Sequence, residues 1–243
     1  MRYLWVLFNT VVWTTVLGLS GILASFFETR RGRTLGHCAN LWGKIILFFS
    51  GVKYTIKGLE NLDPDGSYIF AGNHASGFDI LLGFAGLPYW VVSVSKIELK
   101  SIIILGWVMS TAGHIFVDRG RSDMALKSLE KAKFSLIKLP RSVLLFPEGT
   151  RTRNGSLGQF KRGGLMLSVD TGIPIVPVAF KGTFEMLEKG SWSMKNRPIE
   201  MRVGKPISPD SYSYATRREL ANDIKNKVPV SYTHLTLPTI LLV

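Results

Sequence analysis

His74 and Asp79 stand five positions apart in Asn73-His74-Ala75-Ser76-Gly77-Phe78-Asp79, directly after the apolar run Ser67 to Ala71. A neutral imidazole can take a proton from an alcohol while a carboxylate fixes its tautomer and stabilises the imidazolium. The two side chains cannot meet on one regular helix. Five residues turn the backbone by about 500°, which leaves them roughly 140° apart. They can meet if His74 lies in a loop and Asp79 in the first helical turn, with Gly77 permitting the sharp bend. Taken alone, the spacing fits equally an Asp79 that serves as a helix N-cap and a His74 that is an ordinary loop residue.

A second segment, Phe146-Pro147-Glu148-Gly149-Thr150-Arg151, follows the apolar run Val143 to Phe146. Gly149 lets the backbone turn tightly, and Arg151 offers a planar fork that suits phosphate. Glu148 either hydrogen-bonds a substrate hydroxyl or holds the arginines in place. By itself the segment also reads as a surface turn with a salt bridge. His74, Arg119 and Glu148 each follow a predicted strand directly, and open α/β sheets bind ligands at the carboxyl ends of their strands. His114 lies in a strand-like run without a nearby acid and is assigned a structural role. Cys38 is the only cysteine and has apolar neighbours, so it reads as a packed thiol.

Together the two segments resemble the glycerolipid acyltransferase family, of the lysophosphatidic acid acyltransferase type. Gly113-His114-Ile115-Phe116-Val117-Asp118-Arg119 resembles the family's second block, whose arginine is associated with the glycerol-phosphate acceptor. Val176-Pro177-Val178-Ala179 resembles its fourth, and Lys96 falls where the family often has a phosphate-contacting lysine. The blocks run in order between Tyr54 and Gly204, while Gly77 and Phe78 occupy positions where the family varies.

The resemblance implies a catalytic pair, His74 as base and Asp79 as its orienter. It implies a substrate-binding set of Lys96, Arg119, Glu148, Gly149, Thr150 and Arg151. No metal and no bound cofactor are expected; an acyl-carrier-protein or coenzyme A thioester is the co-substrate. The reaction so implied moves an acyl chain to the sn-2 hydroxyl of lysophosphatidic acid and gives phosphatidic acid. The same chemistry on glycerol 3-phosphate or another lysolipid stays open. So does a non-catalytic basic protein that binds anionic lipid.

The elements that must position these residues follow an α/β pattern. Strand-like runs at Lys53–Ile56, Ser67–Ala71, Tyr89–Ser95, Ile115–Val117, Val143–Phe146, Ile173–Phe180 and Ile199–Val203 alternate with helix-like ones. The helical runs are one opening at Ile80–Ala85, Met124–Ile137, with Ser122 as N-cap, Gly163–Asp170, closed by Gly172, and a last helix opened by a capping box at Thr216 and Glu219. This predicts a mostly parallel or mixed sheet flanked by helices.

Tyr3 to Phe27 carries no charge, long enough at about 1.5 Å per residue to cross a hydrocarbon core of roughly 30 Å. Arg30, Arg31 and Arg33 follow it and place that end in the cytoplasm by the positive-inside rule. Leu41 to Val52 is shorter and reads as interfacial. The pair is either one span or a helical hairpin in one leaflet. Residues 1–52 are thus expected to anchor the chain to the cell membrane, and residues 53–228 to form the acyltransferase domain.

Thirty Lys and Arg against seventeen Asp and Glu give a net charge of +13 over 243 residues. An excess of this size draws a protein to polyanions. No nucleic-acid-binding motif is present, so an anionic membrane face is the expected partner. The stretch Val230-Ser231-Tyr232-Thr233-His234-Leu235-Thr236-Leu237-Pro238-Thr239 matches an in-frame translation of a transposon-end sequencing adapter. Residues 229–243 are therefore expected to be an artefactual tail, and His234 is no ligand candidate.

Overall fold

A computed structural model describes residues 1–28 and 32–228. Arg30, Arg31 and the adapter-like tail lie outside the described residues. The central element is a seven-stranded sheet in the order β1 (Tyr54–Lys57), β7 (Ile199–Val203), β6 (Ile175–Lys181), β2 (Ile69–Gly72), β5 (Ser142–Leu145), β3 (Val91–Lys96) and β4 (Ile115–Val117). All neighbours are parallel except β6 and β7, so the sheet is mixed.

The inner strands β2 and β5 are buried along their whole length, the pattern of a sheet covered on both faces. Their alternate side chains feed two cores. Phe70 and Leu144 join Val176, Val178, Phe180 and Met201 on one face. Ile69, Ala71, Val143 and Leu145 meet Leu165, Leu167, Leu136 and Ile224 on the other. The first face is covered by α1 (Arg2–Ser25), α2 (Arg33–Ser50) and α3 (Phe78–Gly86), the second by α5 (Ser122–Lys138), α6 (Arg162–Thr171) and α8 (Arg217–Lys227).

The N-terminal helices form an antiparallel hairpin laid along the domain. The Arg2 guanidinium donates to the Ser50 carbonyl at 2.7 Å, and the Trp42 indole donates to Thr14 Oγ1 at 3.0 Å. Gly43 brings α2 against the α3 backbone; a Cβ there would stand 2.7 Å from the Leu81 carbonyl oxygen. Further along α1, Gly18 leaves room for Val108 of α4 (Leu105–Thr111), a helix not predicted from the sequence.

Three local predictions differ. α2 begins at Arg33, ahead of the apolar stretch at Leu41, after Gly32 in the left-handed region. Ser122 is the first residue of α5 and Arg121 occupies the N-cap, because the preceding turn is built on Asp118, which accepts the Gly120 N–H at 2.9 Å and pairs with Arg121. Thr216 does sit at the N-cap of α8. Its hydroxyl accepts the Ser213 N–H at 2.8 Å, outside the helix, so no capping box with Glu219 forms.

Candidate functional site

The carboxyl ends of four consecutive parallel strands, β2, β5, β3 and β4, open on one edge of the sheet. His74 follows β2 by two residues, Glu148 follows β5 by three, Lys96 ends β3 and Arg119 follows β4 by two. The predicted residues therefore reach a common edge from separate parts of the chain.

His74 lies in the loop and Asp79 in the first turn of α3, and their side chains meet. His74 Nδ1 is 3.0 Å from Asp79 Oδ2, with the carboxylate fully buried and the ring side chain 11% exposed. The same Oδ2 accepts the Ala75 N–H at 2.6 Å and the Ser76 N–H at 2.7 Å. These bonds fold the loop back onto the start of the helix. Gly77 is not the source of the bend. Its φ of −63° is ordinary helical backbone, and a Cβ there would meet nothing within 4 Å.

An ionised carboxylate only accepts, so it holds the imidazole proton on Nδ1 and leaves Nε2 as the basic nitrogen. The ring stacks on Phe146, with centroids 4.1 Å apart and planes 16° from parallel.

The second segment clamps the backbone of the first. Glu148 Oε1 accepts the His74 N–H at 2.8 Å, and the Thr152 N–H donates to the His74 carbonyl at 2.8 Å. Glu148 Oε2 accepts the Gly158 N–H at 2.9 Å. Of the two roles expected for Glu148, holding the arginines is corrected: its oxygens accept backbone amides, so it orders the histidine loop, and each keeps a lone pair for a further donor. Burial pushes its carboxyl up from the usual range, against the pull of those two N–H donors. Gly149 has φ +74° and closes a turn by donating its N–H to the Phe146 carbonyl at 3.0 Å, a conformation that calls for glycine.

The cations divide. Arg119 donates to the Gly149 carbonyl and so lies against the Glu148–Arg151 turn. Arg151 is half-buried and lines a cavity of about 620 Å³ with Glu148, Thr150 and Lys189; among the described residues it has no carboxylate partner. Lys96 ends β3 beside β4 and is exposed. It pairs with Glu98 at 2.7 Å on open surface, where solvent screens the pair.

His114 has the structural place expected for it. Its Nδ1 lies 3.0 Å from the Ser93 N–H and 2.7 Å from Ser93 Oγ. Burial, and then the nearby Arg141 guanidinium, lower its pKa to about 4, so the ring is a neutral acceptor.

Asn73 was quoted in the first motif without a role. Its Oδ1 accepts the Phe180 N–H at 2.8 Å and its Nδ2 donates to the Phe180 carbonyl at 3.0 Å. The side-chain amide continues the ladder from β2 to β6 past the end of β2. An amide directly after a fully apolar strand is the signal that could have found it. Ser76 is also fixed, donating from Oγ to the Leu187 carbonyl at 2.8 Å. Lys189 approaches the second motif from far along the chain, with no local sequence signal.

Comparison with known proteins shows the family and the fold. A family profile described as Acyltransferase matches residues 53–181. The chain is 30% identical over 210 residues to the 1-acyl-sn-glycerol-3-phosphate acyltransferase of Cocos nucifera, covering 86% of this chain and 66% of that protein. It is 30% identical over 208 residues to the enzyme of the same name from Limnanthes douglasii, covering 86% and 72%. A crystal structure of the 1-acyl-sn-glycerophosphate (LPA) acyltransferase from Thermotoga maritima superposes with a TM-score of 0.77 at 26% identity, covering 93% of each chain.

Proposed function

Because the chain belongs to the acyltransferase family, we propose that it moves a fatty acyl chain from a thioester to the sn-2 hydroxyl of 1-acyl-glycerol 3-phosphate, giving phosphatidic acid. The observation that carries this reading is the His74–Asp79 pair at 3.0 Å, set against a turn bearing Arg151, which forms no salt bridge among the described residues.

His74 Nε2 takes the hydroxyl proton as the acceptor oxygen attacks the thioester carbonyl carbon. A C–O bond forms and the carbonyl electrons move to oxygen. Collapse of that tetrahedral adduct breaks the C–S bond, and the departing sulfur takes the proton back from the imidazolium. Asp79 holds the ring and stabilises its charged form. Arg151 and Arg119 bind the acceptor's phosphate, with Thr150 and Gly149 shaping the turn beneath it. Lys96 can join them with the ammonium donors that Glu98 leaves free. The scheme uses no metal. The donor is an acyl-carrier-protein or coenzyme A thioester, both of which present the same reacting carbonyl.

The site is proposed to work at the cytoplasmic face of the cell membrane, with α1 lying in the interface. Leu4, Leu7, Phe8, Val11, Leu19 and Leu23 of α1 are exposed, and Ile103 and Trp107 extend the apolar side beyond it. An outward-facing apolar helix held at both ends against its domain suits a monotopic attachment.

The test is a panel of lysophosphatidic acid, glycerol 3-phosphate and lysophosphatidylcholine, assayed with the purified protein and each donor thioester in vesicles. Lysophosphatidic acid is expected to give the highest kcat/KM. Faster turnover of another acceptor would reassign the substrate. Vesicle binding without acylation of any acceptor would leave a lipid-binding protein. Failure of the protein to float with the vesicles would refute the attachment.

A further inference from the structure

We propose that Lys189 is a further anion-binding residue of this site, contacting the phosphate monoester of the acyl acceptor beside Arg151. The inference rests on the acceptor reading above and adds a residue outside the motifs that suggested it.

Lys189 sits in a turn anchored to the catalytic candidates. Met186 and Leu187, just before it, are buried, and the Leu187 carbonyl accepts the Ser76 hydroxyl in the His74–Asp79 loop. The Met186 carbonyl accepts the Lys195 N–H at 2.8 Å and closes the far side of the turn, and Gly190 follows Lys189 at φ +84°. The lysine is thus held over the site by the backbone on both sides of it.

Its ammonium donates to Thr150 Oγ1 at 3.0 Å and lies 3.5 Å from the Arg151 carbonyl oxygen. Both partners are uncharged. The nearest acid in sequence, Glu188, is paired with Lys195 at 3.4 Å. Glu148 lines the same cavity, yet its two oxygens accept the N–H groups of His74 and Gly158. An ammonium and a guanidinium therefore border one cavity whose lining holds a single carboxylate, Glu148, and among the described residues neither cation forms a salt bridge with it. Two positive charges against one leave that lining able to take an anion.

The sheet order explains how both reach the turn. His74 leaves β2, which lies between β6 and β5. Arg119 approaches the Gly149–Arg151 turn from the β4 side, and Lys189 approaches it from beyond β6. The glycerol hydroxyl that must reach His74 is only a few bonds from the acceptor's phosphate. A thioester's own phosphate groups lie at the far end of a long pantetheine arm. An anion site built on the residue pair next to Thr152, whose N–H bonds the His74 carbonyl, therefore suits the acceptor.

Lys189→Met and Lys189→Arg, with the wild type, are compared on lysophosphatidic acid and on monoacylglycerol, which lacks the phosphate. Lys189→Met is expected to raise KM for lysophosphatidic acid about tenfold, the scale of one lost charge-assisted hydrogen bond. Its penalty in kcat/KM is confined to the phosphate-bearing acceptor, and Lys189→Arg recovers most of it. A rise in KM for the thioester instead would place the ammonium on the donor and overturn the inference. An unchanged KM for both would also overturn it. A wild type that does not distinguish the two acceptors would sink the acceptor reading itself, a result visible before any variant is made.

Discussion

Asp79 makes most of the site's local order. One buried carboxylate oxygen gathers the His74 ring and two consecutive backbone amides, so a loop that must place a base within hydrogen-bond reach does so without strained backbone. The two glycines of the motifs consequently have unlike roles. Gly149 stands at φ +74°, where an alanine costs about 1–2 kcal/mol and disturbs the turn that carries Glu148. Gly77 stands at φ −63° in open space. Urea unfolding is expected to show Gly149→Ala destabilised by that amount. Gly77→Ala is expected to be unchanged or up to about 1 kcal/mol more stable, through the unfolded chain. A comparable loss at both positions would refute the assignment of the bend to Asp79.

Among the elements, strands β2, β5, β3 and β4 bring four distant segments to one edge, and this much was legible in the sequence. Short, fully apolar runs ending in Asn-His and Pro-Glu-Gly are the signature of buried parallel strands with chemistry at their carboxyl ends. Most of what the sequence did not reveal depends on tertiary pairing. Asn73 bonds the Phe180 backbone across a crossover, Glu148 bonds amides rather than arginines, and Thr216 finds Ser213 instead of Glu219. For Asn73 and Glu148 the competing backbone group came close only on folding; for Thr216 it is local, an N–H three residues earlier in the turn before α8.

His114, which ties its segment to β3, carries a pH signature. Its folded pKa of about 4 lies below the unfolded value of about 6.5, so the unfolded chain binds more protons between them. Stability is intact above pH 6.5 and falls as pH drops toward 4. The loss from this group is about 2 kcal/mol, after allowance for a ring that is not fully enclosed. Urea titrations of wild type and His114→Gln across that window should show the slope reduced in the variant; equal slopes would mean that the ring is not the titrating group.

On the scale of the whole molecule, charge and apolarity point the same way. The +13 net charge and the exposed apolar face of α1 both suit the proposed attachment to an anionic membrane surface. The strand-end edge then holds a histidine whose tautomer is set, the arginines proposed to bind phosphate, and a turn closed by Gly149 in the left-handed region. The account stands or falls on His74 as the group that moves the proton. Formation of phosphatidic acid by vesicle-bound wild type and His74→Ala, prepared with matching urea midpoints, tests this most directly. A fall in kcat of about a thousandfold, the scale of a lost general base, is predicted. A folded His74→Ala protein retaining a tenth or more of wild-type kcat would contradict it.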